Sequence, residues 1–230
     1  MGTLAPGHRM TAPGPFTDVA YLLLAPASPG ARPPNLGTWP GTERWTVREP
    51  ALVKRGPDGA KLATEPASFT TVVRFARPPE RMEGLRRAIE GSPDVEHSAL
   101  VLGREWIAME GSGEELAAAF IRRRCDLSVA EMQWRWSAEH VAFARALGRG
   151  YRQVHVDPIA TTTANKALGF DDPELDGIAL VSFPDAVTLT ATRNSDAVAV
   201  DATRDEAAFL DHQRSTFVTL VPASMEGRAT

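Results

Sequence analysis

Cysteine is almost missing. Cys125 is the single one in 230 residues, which excludes an intrachain disulfide framework and suits a reducing cytoplasm. Arg122, Arg123 and Arg124 stand beside it, but no catalytic partner adjoins it, so it reads as a structural or incidental thiol. Long apolar runs are missing too. Nothing approaches the roughly 20 residues of a membrane span, and residues 1–15, rich in Gly, Pro and Ala, lack the continuous apolar core of a signal peptide. Basic runs are missing: with a net charge of -4 and no long Lys/Arg stretch, a nucleic-acid surface is not expected. No Cys/His cluster, Gly-rich phosphate loop or nucleophile elbow occurs. Tyrosine is scarce, at two, but nine Phe and five Trp supply core material. At 43% hydrophobic and 23% charged residues, the chain reads as one large or two small globular domains.

What is present concentrates between Ser128 and Asp157. Ser128 with Glu131 three positions on forms a capping box, so a helix starts there. Met132, Trp136, His140, Phe143 and Leu147 follow at helical spacing on one face. Gly148 and Gly150 stop the helix. The next segment alternates, and a strand is predicted. Tyr151, Gln153 and His155 point one way; Arg152, Val154 and Val156 point the other. If the helix packs on the valine side, the opposite side carries a phenol, an amide and an imidazole in a row. Two readings stand: a half-exposed strand facing water, or the wall of a ligand cavity.

The remaining pattern gives short elements in alternation. Strands are expected over Asp18–Leu24, Glu43–Lys54, Phe69–Phe75, Asp176–Phe183 and Ser215–Val221. One more covers Ala99–Met109, with a bulge expected at Gly103. A turn is expected at Gly56-Pro-Asp-Gly59. A helix opens after Pro78 and Pro79, and another covers Asp201–Asp211. The segment Ala25–Pro40 is crowded with Pro and Gly and excludes a regular helix. Asp157-Pro158 reads as a turn, and Thr161–Leu168 as a short helix or an ordered loop. By propensity Leu116–Ile121 is helical, and Pro184–Val200 is undecided. The sum is an α+β architecture, with helices on one face of an antiparallel sheet.

Several stretches in order resemble the EthD family of the dimeric α+β barrel (ferredoxin-like) superfamily. They are Arg122-Arg-Arg124, Leu127-Ser128, Trp136 four before His140, and Tyr151-x-Gln-x-His155. Downstream come Asn165-x-Ala167-Leu-Gly169, Asp176-Gly-Ile-Ala179, Asp205-Glu-Ala-x-Phe-Leu-Asp211 and Arg214-Ser215. The resemblance covers about residues 115–221. It implies that Leu116–Arg122 is a strand and that Pro184–Leu210 is mostly helix. Asp18–Glu110 then has the same element order without a first helix. The implied fold is α+β: tandem ferredoxin-like repeats forming an intrachain α+β barrel, antiparallel sheets with helices packed outside. The implied organisation is a disordered lead (1–16), a degenerate first repeat (17–112), an EthD-like second repeat (113–222) and a tail (223–230).

The resemblance further implies a small cofactor-independent enzyme in the cytoplasm, a cyclase, dehydratase or other lyase acting on a small hydrophobic oxygenated substrate. His155 would be general acid or base, Tyr151 and Gln153 would polarise or orient, and His140 would assist. Trp134 and Trp136 would wall the site. The alternative is a non-catalytic binding or accessory protein of a degradation or biosynthetic pathway. Neither a metal nor any other cofactor is expected; haem-binding relatives exist in the wider superfamily, but nothing marks such a site here. A monomer with a pseudo-twofold, or a homodimer, is expected, with no nucleic acid or membrane as partner.

Overall fold

The computed structural model describes residues 14–223, apart from 27–35, 37–38, 40, 49–53, 57, 80–81, 91–93, 95–96, 112, 114, 147–149 and 194–195. Eight strands form its centre: β1 (Thr17–Leu24), β2 (Thr42–Arg48), β3 (Thr71–Phe75), β4 (Ala99–Met109), β5 (Glu115–Ile121), β6 (Gly150–Val156), β7 (Gly177–Phe183) and β8 (Thr216–Pro222). They close into a barrel in the order β1-β3-β2-β8-β5-β7-β6-β4, and every neighbouring pair is antiparallel. The helices are α1 (Met82–Ile89), α2 (Val129–Arg135), α3 (Val141–Ala146), α4 (Pro158–Leu168), α5 (Ala186–Arg193) and α6 (Asp196–Glu206). A π-helical turn, Trp136–His140, joins α2 to α3.

A closed barrel has no solvent face to spare, so alternating residues are buried on both sides. Val19, Tyr21, Val72, Val101, Phe120, Val154, Val156, Ile178 and Val218 fill the interior. The opposite row meets the helices: Ile121 and Phe217 pack with Met132, Trp136 and Phe209, and Leu22 and Leu100 pack with Leu85, Ile89 and Leu168. The two-sided burial explains why Glu115–Ile121 is a strand despite three consecutive alanines. Small side chains there let β7 and β8 pair on either side with helices above.

Several expectations are corrected. The helix after Ser128 covers the polar side of β6, because Val154 and Val156 point into the barrel. Tyr151, Gln153 and His155 therefore lie on the side of β6 away from the barrel interior that Val154, Val156 and Ile178 fill. The bulge in β4 falls between Ile107 and Met109. Gly103 serves a different need: a Cβ there would lie 2.5 Å from the His155 carbonyl oxygen. Asp157-Pro158 is the start of α4, with Asp157 accepting the Ala160 N–H at 3.0 Å and Pro158 in the first turn. Phe16, assigned above to a disordered lead, packs against Trp106 and His155. The leading residues 1–13, most of Ala25–Pro40, the end of the strand expected to reach Lys54, Leu147-Gly148 and the tail 224–230 lie outside the described residues.

The turn at Gly56–Gly59 is present, closed by a Gly59 N–H to Gly56 carbonyl bond of 2.9 Å. α4 repairs an exposed sheet edge. β6 ends opposite Gly103, leaving the first residues of β4 without that neighbour. Asn165 takes its place, accepting the Leu100 N–H and donating to the Leu100 carbonyl, both at 2.7 Å. Thr161 bonds the backbone of Leu102 in the same way. Two side chains thus act as a substitute strand.

Candidate functional site

The capping box holds: the Ser128 hydroxyl accepts the Glu131 N–H, and the Glu131 carboxylate accepts the Ser128 N–H at 2.9 Å. The helix so started lays Met132 and Trp136 on the sheet, both fully buried. At Gly177 the strand has no side chain, and the Trp136 indole occupies that space. The π turn beginning at Trp136 widens the helix and opens a backbone carbonyl to an outside donor. Gln153 takes it, donating Nε2–H to the Trp136 carbonyl at 3.0 Å.

That bond orients the whole site. With its nitrogen committed to Trp136, and also 3.3 Å from the Tyr151 hydroxyl, Gln153 must turn its oxygen toward His155. Oε1 lies 3.1 Å from His155 Nε2. An amide oxygen only accepts, so Nε2 carries the hydrogen and Nδ1 keeps its lone pair. Trp136 lies flat on the imidazole, with centroids 5.2 Å apart and planes at 13°. Phe16 meets the same ring edge-on at 5.0 Å. Burial, helped by the positive charge of Arg104, pushes the His155 pKa down to about 4. Near neutral pH the imidazole is therefore uncharged.

Tyr151 is 2% exposed. Its hydroxyl accepts the Trp136 indole N–H at 2.8 Å, and burial raises its pKa above the ordinary phenol range. Gln153 is fully buried. His140 packs edge-on against Tyr151 and Phe209, and its Nδ1 bonds the Asp205 carboxylate. Trp134 is 58% exposed on the outer side of the helix and meets none of these groups.

His155, though 5% exposed, reaches open space. It lines a cleft of about 470 Å³ between α2 and the start of α4, together with Asp18, Leu102, Arg104, Val129, Gln133 and Pro158. In the strand registers, Asp18 pairs with Arg104, Arg104 with His155, and His155 with Gly177. The four form one row across the outer face. Gln133 donates to the Val156 carbonyl at 3.2 Å, which fixes the cleft wall. The structure brings His155, Gln153, Tyr151 and Trp136 together and sets Arg104, Gln133 and Phe16, which no sequence motif marks, beside them. The register of β4 against β6, which no local motif encodes, carries Arg104 to the site. A smaller pocket of about 210 Å³ opens at one end of the barrel over Leu23, Phe69 and Phe120, rimmed by Arg122 and Arg214. None of the residues expected at the site lines it. Among the described residues no group of three or more His, Cys, Asp or Glu is arranged to hold a metal ion, and no helix is long and apolar enough to cross a membrane.

The family described as the EthD domain matches residues 124–213. The match takes in His140, Tyr151, Gln153 and His155 and leaves β1–β5 outside it. No curated protein matches the chain. A crystal structure described provisionally as a chlorite dismutase aligns with 90% of this chain and 95% of its own, at 9% identity and a TM-score of 0.44. A likeness that weak carries no chemistry to this chain.

Proposed function

We propose that this protein is a cofactor-independent enzyme that moves a proton on a small oxygenated molecule bound beside His155, a cyclase, dehydratase or other lyase in its chemistry. One observation carries the reading: a buried imidazole that lines a cleft has its Nε2–H tied to Gln153, which leaves Nδ1 as the nitrogen with a lone pair to offer. In that state His155 takes a proton from a carbon or hydroxyl of the substrate at Nδ1 and returns it to the product. Gln153, Tyr151 and Trp136 are positioning residues, holding the tautomer and the ring plane. Apolar walls from Leu102, Val129 and Pro78 suit a substrate with a hydrophobic body.

Three coarser features accompany this reading. The strand orders β4-β1-β3-β2 and β8-β5-β7-β6 repeat one pattern, which supports a fused tandem of ferredoxin-like units about a pseudo-twofold. A barrel already closed within one chain supports a monomer. The lone, exposed Cys125 is compatible with the cytoplasm. A second reading, a non-catalytic small-molecule-binding or accessory protein, draws on the sealing of Tyr151 away from the cleft, which leaves His155 without a second acid nearby.

Incubation with a metabolite extract, followed by untargeted mass spectrometry, separates the two. The enzyme reading expects a compound pair converted by the wild-type chain and slowed about a hundredfold or more in H155A, with unchanged circular dichroism. Equal conversion by H155A overturns it; retained compounds with no conversion favour the binding protein.

A further inference from the structure

We infer that the cleft takes a substrate bearing a single carboxylate, which pairs with Arg104 and so lays the reacting carbon or hydroxyl over Nδ1 of His155. The inference rests on the reading of His155 as the proton acceptor and names the substrate class of that site.

Arg104 and His155 are direct register partners on neighbouring strands and line the same cleft. A single ring holds both: the Arg104 guanidinium sits 5.1 Å from the centre of Phe16, and the same ring meets His155 at 5.0 Å. The guanidinium is thereby fixed in direction, but among the described residues it makes no ion pair. Its acidic neighbour in the row, Asp18, lies on the side away from His155. The other acid of the cleft, Asp157, is occupied in capping α4. α2 contributes only the uncharged Val129 and Gln133. A guanidinium with no ion pair among the described residues, forked and planar, matches one carboxylate. Two carboxylates flanking the cleft disfavour a doubly charged phosphate.

Occupancy would also change the base. The charge of Arg104 is one of the two influences that hold the imidazole neutral, after burial. A carboxylate on Arg104 offsets that charge, so the substrate raises the basicity of the group that is to act on it.

The test uses the full chain with isotopically labelled histidine, and benzoate, benzamide and benzyl alcohol as probes. Benzoate is expected to bind the wild type and to move the His155 titration upward by about half a unit or more. Both neutral analogues should bind about tenfold more weakly or worse, and R104Q should lose about tenfold in benzoate affinity together with the titration shift. Arg104 is exposed, so R104Q should keep its fold, checked by circular dichroism; R104K, which keeps the charge but not the fork, should fall between. Absence of benzoate binding, equal binding by R104Q, or equal binding of the neutral analogues overturns the inference. If R104Q loses benzoate while H155A keeps turnover on extracts, the carboxylate site stands and the proton-transfer reading falls. If H155A abolishes turnover while R104Q binds benzoate normally, the reverse holds.

Discussion

The Gln153 amide spans two partners, donating to the Trp136 carbonyl at 3.0 Å and meeting His155 Nε2 with its oxygen at 3.1 Å. A backbone irregularity in a helix thereby determines which nitrogen of a histidine, one strand away, is available for chemistry. The stability of the site should respond accordingly.

Acid should weaken the fold through His155. Its pKa in the folded chain, about 4, lies below its ordinary 6.5, so the unfolded chain takes up the proton first as pH falls. The associated stability is complete above pH 6.5 and is lost progressively down to pH 4. At about 1.4 kcal/mol per unit this amounts to roughly 3 kcal/mol. Urea midpoints at pH 7 and 4.5 should differ less in H155Q than in the wild type. Glu206 titrates in a separate window, since Lys54, His212 and His140 outweigh its burial and hold it at about 2.

Removing the Tyr151 hydroxyl should loosen the site without deleting its base. Y151F leaves the Trp136 indole N–H buried without its partner, at a cost of about 1–3 kcal/mol. Denaturation should register that loss. Labelled-histidine spectra should still show the Nε2–H tautomer, because the Gln153 to Trp136 bond persists.

Gly177→Ala places a methyl group where the Trp136 ring lies. Overpacking of this kind costs about 1–3 kcal/mol. The displaced indole should uncover His155 and bring its titration back toward 6.5, read by NMR together with a shift in tryptophan emission.

Asn165→Leu keeps the branching of the side chain but strips both bonds from the Leu100 backbone, leaving a buried N–H and a buried carbonyl unpaired. A loss of roughly 2–4 kcal/mol in urea unfolding is expected. Hydrogen exchange at Leu100 should accelerate more than at Val101.

Much of this arrangement was legible in the chain. The period-two pattern from Tyr151 to Val156 gave both the strand and its polar row, and Ser128 with Glu131 gave the helix start. The side on which the helix packs was not legible. That depends on closure of the barrel, which turns Val154 and Val156 to the interior and leaves the phenol, amide and imidazole to the helix. Trp134 was grouped with the site for its ring alone, although its position, two residues from Trp136, sets it on another face. Local preference failed at Leu116–Ile121 and left Pro184–Val200 undecided, because packing rather than propensity decides those backbones. Arg104 carries no motif, and it becomes meaningful only once β4 lies against β6.

Ring closure also has a consequence during synthesis. β8 seals the circle between β2 and β5, yet of these eight strands it leaves the ribosome last. Until it emerges, the nascent polypeptide carries two open hydrogen-bonding margins, and a stop codon or a protease cut shortly before residue 216 would leave both of them bare to other chains.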